Sequence, residues 1–502
     1  MSVFAKFMRR AMLARYGYIE HQVERAVEVQ YSTLRNLLER CRYTAFGRRY
    51  GLHRVHNAEQ FAERVGRFDY GSYQEYITRM RRGESNVACE GRVGMFAISS
   101  GSTSARSKYI PLTREMMRRN HLQGMADVVT LYLHENPSSR LFEGRTLTMG
   151  GSCRVEDGAL VGDLSALTMA FTGGWLSTVR APSRKAALIE DFDAKCEAIW
   201  RECEKQRIVA LAGVPSWTMA LLRRVLEWSG KSSIADVWYD MELFMHGGVS
   251  FKPYGEAFAQ IMGQKMNYLE SYNASEGFVA IADRCGSEDM LLMPHYGCYY
   301  EFARGENVVP LEGVRRGVDY ALLMTTVGGL WRYELGDVVR FTSIDPYRLR
   351  IVGRVRQYIN AFGEELMEGN AEEALLKACM MTGAVVEEYS VAPCFFEGAA
   401  GGYHLWVVEF ASLPDDVEGF AMALDAALRE INSDYDAKRR SVMAAAAVKV
   451  VPQGTFHRWQ ALCSRRKVPR LLTDRTTIDD ILSCAEGGWS YGGDKEIEKE
   501  EI

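Results

Sequence analysis

Apolar positions at Val23, Val27, Tyr31, Leu34 and Leu38 recur at spacings of three and four, so the first ~45 residues read as helix. Ser72-Tyr-Gln-Glu75 has the form of a capping box and predicts a short helix running to about Arg82. Then the texture changes. Residues 92–98 read as an apolar strand that runs straight into a small-residue loop over 99–107. From there the two periodicities alternate. A strand is predicted around Leu147, a long amphipathic helix over 183–206, and a short apolar strand over 208–212. Ser216 is placed to cap a helix that Gly230 ends. A strand over 243–246 enters Gly247-Gly248, a helix follows, and a further strand is predicted over 266–272. This alternation predicts an α/β fold with sheets flanked by helices and largely parallel.

Further strands are predicted over 322–326 and 349–352. Between 347 and 360 the sequence is polar and interrupted by Gly353, and a domain boundary is placed there. Strands over 385–391, 404–410 and 448–451, with a helix over 417–432, predict a small α+β unit. The expected organisation is an N-terminal domain over 1–356, a C-terminal domain over 357–487 and a disordered tail over 488–502, rich in Gly, Lys and Glu.

Composition narrows the function classes. Apolar residues make up 47% and charged residues 25% of the 502, as in ordinary globular proteins. A net charge of −4 with a pI near 6.2 argues against a nucleic-acid partner, which needs a basic footprint. No run approaches the ~18 to 20 apolar residues that span a bilayer, so no membrane partner is expected. The N-terminus carries Phe4, Lys6, Phe7, Arg9, Arg10 and Arg15 but no uninterrupted apolar core, and reads as a first helix, not a secretory signal. Eleven cysteines, with no C-x-x-C pair, read as reduced thiols of a cytoplasmic protein. Oligomeric state is not legible.

The candidate chemistry begins at Ser99-Ser100-Gly101-Ser102-Thr103-Ser104-Ala105-Arg106-Ser107-Lys108. Six of its first nine residues carry a hydroxyl. Hydroxyls and backbone N–H groups are donors that a polyphosphate needs, and Lys108 adds a compact positive charge. Following an apolar strand, the loop is expected at the carboxyl end of the sheet, where α/β ligands bind. It is not a Walker A loop, because the required Gly and Lys positions hold Arg106 and Ser107.

These residues resemble the first signature of the auxin-responsive Gretchen Hagen family of acyl acid amido synthetases, a branch of the adenylate-forming superfamily. Ser102 stands where Thr is usual, and Ala105 where a second Gly is usual; an alanine is strained wherever that position needs a positive φ. Tyr272-Asn273-Ala274-Ser275-Glu276-Gly277 is similar to the second signature. There Tyr272 offers an aromatic face to adenine, and Glu276 a carboxylate that holds Mg²⁺ against phosphates. Gly247-Gly248 lets backbone approach the base. Trp331 to Arg340 resembles the third signature, in which Asp337 accepts from the ribose hydroxyls; Glu334 departs from the neutral or basic residue usual there. Gly353-Arg354 and the following Ile359 to Gly363 resemble the superfamily's hinge, with Arg354 for ribose or phosphate and Arg356 or Gln357 as pivot. Lys467-Val-Pro-Arg470 resembles the last signature, with Arg465 where Gln is usual; Lys467 would neutralise carboxylate and α-phosphate as they meet.

The resemblance implies a large N-terminal α/β domain with a β-barrel portion and a small mobile α+β C-terminal domain. It implies an ATP- and Mg²⁺-dependent ligase that activates a carboxylic acid as acyl-AMP with release of pyrophosphate. The acyl group then passes to an amine, expected to be an amino acid. Another adenylate-forming ligase, such as an acyl-CoA synthetase, or a non-catalytic nucleotide-binding relative remain open alternatives.

Overall fold

The computed structural model describes residues 3–99, 108–172, 178–249, 251, 254–355, 358–396, 401–462 and 468–485. The chain divides into two compact units: described residues up to 355 together with 440–442, and the rest from 358 onward.

The first unit opens with helices Val3–Glu24 and Ala26–Cys41, as the three-and-four spacing predicts. The second of these buries Leu34, Leu37 and Leu38. The helix near residue 72 spans Tyr70–Arg81 and starts three residues earlier than the motif suggested. Asp69 is the cap, accepting from Ser72 N at 2.9 Å, while Ser72 Oγ accepts from Asp69 N at 3.0 Å. Glu75 instead reaches Arg49 at 3.3 Å. The long helix expected over 183–206 is two helices. Ser183 caps Arg184–Ala187, and Asp191 caps a fresh start at Phe192–Cys203, accepting from Ala194 N at 2.8 Å. A competing side-chain acceptor in mid-pattern restarts the helix there. The helix before Gly230 begins with Pro215 at its first turn, not at Ser216, and Gly230 ends it at φ +64°.

The strands of this unit, in chain order, are β1 (Met95–Ser99), β2 (Lys108–Leu112), β3 (Arg145–Thr148), β4 (Cys153–Glu156), β5 (Ala159–Gly162), β6 (Arg180–Ala181), β7 (Ile208–Gly213) and β8 (Leu243–His246). They continue as β9 (Asn267–Ala274), β10 (Gly277–Ala282), β11 (Met290–Leu292), β12 (Cys298–Arg304), β13 (Asn307–Val309), β14 (Asp319–Thr326), β15 (Tyr333–Ile344) and β16 (Tyr347–Arg354). Twelve of them form one sheet in the order β13-β12-β14-β15-β16-β11-β10-β9-β8-β7-β3-β6. The β6-β3-β7-β8-β9 half is parallel, with helical crossovers, as predicted. The other half, from β9 to β13, is antiparallel; most of its neighbours are joined by short hairpin connections, while β11 pairs with the distant β16. Where a barrel portion was expected, these antiparallel strands continue the same open order.

A four-stranded sheet, β2-β1-β5-β4, stands apart. β1 and β2 are antiparallel in register from Met95↔Leu112 to Ser99↔Lys108. Residues 99–108 therefore join two arms of a hairpin, not a strand to a helix. Among the described residues no helix is long and apolar enough to cross a membrane.

The second unit carries β17 (Tyr358–Ile359) paired with β18 (Leu366–Met367), and the sheet β19 (Val385–Phe395), β20 (Gly402–Ser412) and β21 (Ala447–Val451). Helices Glu368–Thr382 and Val417–Ile431 accompany them. Between β17 and β18, the fully buried Glu364 organises its own loop. Its carboxylate accepts from Ala361 N at 3.1 Å and Phe362 N at 2.7 Å, and meets His404 Nε2 at 2.8 Å.

Candidate functional site

The β9–β10 hairpin is the foundation. Its turn is only Ser275-Glu276, between Ala274 and Gly277. A Cβ on Gly277 would lie 2.5 Å from Met324 Cε, so a larger residue there would have to displace the end of the Met324 side chain. Behind it, the buried Asn120 clamps β10. It accepts from Phe278 N at 2.6 Å and donates to Phe278 O and Tyr296 O, both at 3.2 Å. The turn thus presents Glu276 from a rigid support, 9% exposed.

Three other strands bring charge to Glu276. Lys108, at the start of β2 and buried, stands with its Nζ 5.8 Å from the centre of the Tyr70 ring. Tyr70 OH in turn accepts from Tyr109 N at 2.9 Å. Asp337, on β15, follows Gly336 at φ +89° and lies in register with Arg354 at the end of β16. Arg354 Nε meets Asp337 Oδ1 at 2.5 Å, and the Tyr272 hydroxyl donates to Asp337 Oδ2. Burial pushes the Glu276 carboxyl above its ordinary value; Lys108 and Arg354 pull it back down, and Asp337 opposes them. Burial and the neighbouring Asp337 likewise push the Tyr272 hydroxyl well above its usual value. Lys108, Tyr272, Glu276, Asp337 and Arg354 are therefore one electrostatic group.

Gly247 and Gly248 follow β8 beside β9. A Cβ on Gly247 would lie 2.5 Å from Ser271 O, and Gly248 has φ +86°. The pair is thus pressed against the residue before Tyr272. His246 is buried, stacks on Phe251 at 4.3 Å, and is pushed down to about 4 by burial, so it stays neutral.

Strand alternation sorts the remaining signature residues. Tyr272 faces β15, whereas Asn273 points to the opposite face of β9, where its Oδ1 lies 3.0 Å from His121 Nδ1. Ala274 ends β9 and Ser275 begins the turn. Ser99 pairs with Lys108 at the loop's base. Ser100, Gly101, Ser102, Thr103 and Ala105 lie outside the described residues, as do Arg356, Gln357, Arg465 and Lys467. The segment after Lys467 is held along β19: Ser390 Oγ donates to Pro469 O at 2.7 Å, and Val391 N donates to Arg470 O at 2.7 Å. Arg470 is not a solvated basic turn; it meets Glu372 at 3.3 Å and Glu388 at 3.5 Å over the Tyr389 ring. Glu334, the unusual acid of the third signature, pairs with Arg67 at 2.6 Å.

Tyr70, Asn120 and His121 escaped the sequence reading, since each resembles an ordinary helix-surface residue. The Asp337–Arg354 pair carried a partial signal: the two residues are equidistant from the turn at 345–346, although two register shifts lie between them and that turn. Among the described residues no group of three or more His, Cys, Asp or Glu forms a metal cage. A single buried carboxylate fits Mg²⁺, which is typically held by one or two carboxylates plus substrate phosphates.

Comparison with known proteins adds the family context. Residues 15–157 match the GH3 family N-terminal domain, 290–354 the GH3 family central domain and 369–476 the GH3 family C-terminal domain. The chain is 23% identical to the indole-3-acetic acid-amido synthetase GH3.10 of Arabidopsis thaliana, over 92% of this chain and 95% of that protein. It is 22% identical to the jasmonoyl–L-amino acid synthetase JAR6 of Nicotiana attenuata, over 86% of this chain and 87% of that one. Its fold is similar to that of AtGH3.15 acyl acid amido synthetase in complex with 2,4-DB, with a TM-score of 0.63 at 17% identity, covering 95% of this chain and 96% of that chain.

Proposed function

The chain belongs to the GH3 family of acyl acid amido synthetases, AMP-forming ligases that use ATP, and from that premise we propose how its own residues carry the reaction. In the first half-reaction, an oxygen of the acid's carboxylate attacks the α-phosphorus of ATP. The bond from that phosphorus to the bridging oxygen breaks, pyrophosphate leaves with the electron pair, and acyl-AMP remains. Adenylation is needed because a carboxylate is a poor electrophile, whereas a mixed anhydride carries a good leaving group. In the second half-reaction, an amine nitrogen attacks the acyl carbon, AMP leaves, and the nitrogen gives up a proton.

The nucleotide residues follow from the electrostatic group. Tyr272, beside Gly247-Gly248, takes the adenine face, and Asp337 takes the ribose hydroxyls. The 99–108 loop with Lys108 takes the phosphates. Arg354 orients Asp337 and is placed to meet ribose or phosphate. Glu276 would hold Mg²⁺, which neutralises phosphate charge when bound. Lys467 is assigned to the charge that builds as carboxylate and phosphate meet. The amine is an amino acid in this proposal.

The observation that carries the reading is the convergence of Lys108, Tyr272, Glu276, Asp337 and Arg354, from distant parts of the sequence, on one buried spot. The test is incubation with Mg·ATP, mixed carboxylic acids, amino acids and coenzyme A, followed by mass spectrometry. New amides with AMP are expected, and Asp337→Ala and Lys467→Ala should lose them. Thioesters without amides would overturn the amide assignment, and no AMP with any acid would overturn adenylation.

A further inference from the structure

A cavity lies at the root of the β1–β2 hairpin, at the opposite end from Ser99 and Lys108. It encloses about 500 Å³, within the range of small-molecule sites. Lys108 and Ser99 are at one end of the hairpin, and Met95 and Leu112 at the other. Four residues of extended strand separate the two ends by about 13 Å. The cavity is therefore distinct from the group around Glu276.

Its walls are apolar: Leu37, Met95, Leu112, Phe171 and Val327 contribute. Cys41 and Cys89 also line it, and burial pushes their thiols up to about 11 and about 12, so they present neutral sulfur. The rim is charged and unbalanced. Arg40 is consumed by Glu90, at 3.1 Å, and by Glu115, at 2.8 Å. Glu115 also accepts from Arg119 at 2.9 Å. Both carboxylates are thus spoken for. Arg92 and Arg114 line the same cavity, and their side chains make no hydrogen bond or ion pair among the described residues.

We propose that this cavity binds a small amphipathic anion, its apolar body against Met95 and Phe171 and its anionic head between Arg92 and Arg114. Two guanidinium groups offer forked donors to a carboxylate, sulfonate or sulfate head. The apolar walls exclude a free inorganic anion as the best occupant, because such an ion leaves them unfilled.

The probe is sodium octane-1-sulfonate, which has no carboxyl group and cannot be adenylated, so the outcome does not depend on the proposed reaction. Titrated calorimetrically into the full chain in the presence of ATP, it should fill one saturable site. Gly94→Leu should block that site, because a Cβ on Gly94 meets nothing within 4 Å and the new side chain occupies open space. The Arg92→Ala/Arg114→Ala double variant should bind about tenfold more weakly or worse. ATP affinity should be unchanged in both. Equal binding by wild type and variants, absence of a saturable site, or equally tight binding of 1-octanol would overturn the proposal. Should Gly94→Leu lose its fold by circular dichroism, the arginine double variant decides alone.

Discussion

Two buried carboxylates in the first unit have opposite surroundings. Asp127 is fully buried, and its oxygens are taken up by the fold. Arg15 reaches it from the first helix through Nε at 2.5 Å and Nη2 at 3.1 Å, Gln123 Nε2 donates at 3.0 Å and Tyr296 OH at 2.9 Å, with His295 Nε2 at 3.6 Å. Burial alone would raise its pKa, yet this shell holds the carboxyl below its ordinary value. Glu276 is about as buried; a hydrogen bond from its own backbone and the charges of Lys108 and Arg354 favour the carboxylate, yet burial prevails and leaves its carboxyl above the ordinary value. A carboxylate whose acceptor capacity is consumed by the protein holds the fold together. One whose carboxyl burial raises even with two cations beside it has the perturbed character that marks a functional site.

The sharpest way to break this contrast is to neutralise each in turn. Glu276→Gln should lower ATP–pyrophosphate exchange by roughly 10²–10³-fold, the usual effect of removing one electrostatic contact to a transition state. Its melting temperature should hold or rise; exchange within threefold of wild type would sink the assignment. Asp127→Ala should do the reverse. Leaving Arg15 and Tyr296 without their shared partner should cost about 3 kcal/mol of stability, read by denaturant unfolding, with exchange per folded molecule little changed. The pH profile sharpens the same point. In its proposed role Glu276 must be ionised to hold a cation, and because its pKa is raised, exchange should fall as pH drops through that raised value. A profile with no acid limb in this range would contradict it.

The smallest effect concerns a third carboxyl, Glu270, two residues before Tyr272 on the same face of β9. It has no hydrogen bond or ion pair among the described residues, and burial, with Glu288 nearby, pushes it up to about 7. The folded chain therefore holds this proton more tightly than the unfolded chain. The associated stability is present below about pH 4.5 and is lost as pH rises to about 7. Glu270→Gln should raise stability by about 1–3 kcal/mol at pH 8 and leave it unchanged at pH 4.5. A gain equal at both pH values would show that the effect is not ionisation.

Sequence periodicity read the parallel half of the large sheet well, because each strand there is followed by a helix with its own pattern and caps. It read the antiparallel half poorly. β12 and β15 are long strands, but their aromatic-rich, partly alternating residues carry no strand–helix contrast to mark them. The helix breaks at 188–191 and at Asp69 turned on single side-chain acceptors that several nearby residues could have supplied. In the site, the named residues were legible as motifs. Their supports were not: Asn120 clamps β10 across 158 positions of sequence and His121 meets Asn273 across 152, distances over which no local pattern reports contact. The Ser99–Lys108 loop was legible as a hydroxyl-rich segment after a strand, but a strand followed by small residues does not announce whether a helix or a returning strand comes next.

That return has a consequence for how such an enzyme can change. Because Ser99 and Lys108 are cross-strand neighbours, the eight residues between them begin and end at a fixed short span set by the ladder beneath. Lengthening a closed loop costs only about 0.6 kcal/mol per doubling. The tip can thus be rewritten, shortened or extended as a cassette while β1, β2 and the lysine keep their places, which is a freedom a strand-to-helix phosphate loop lacks.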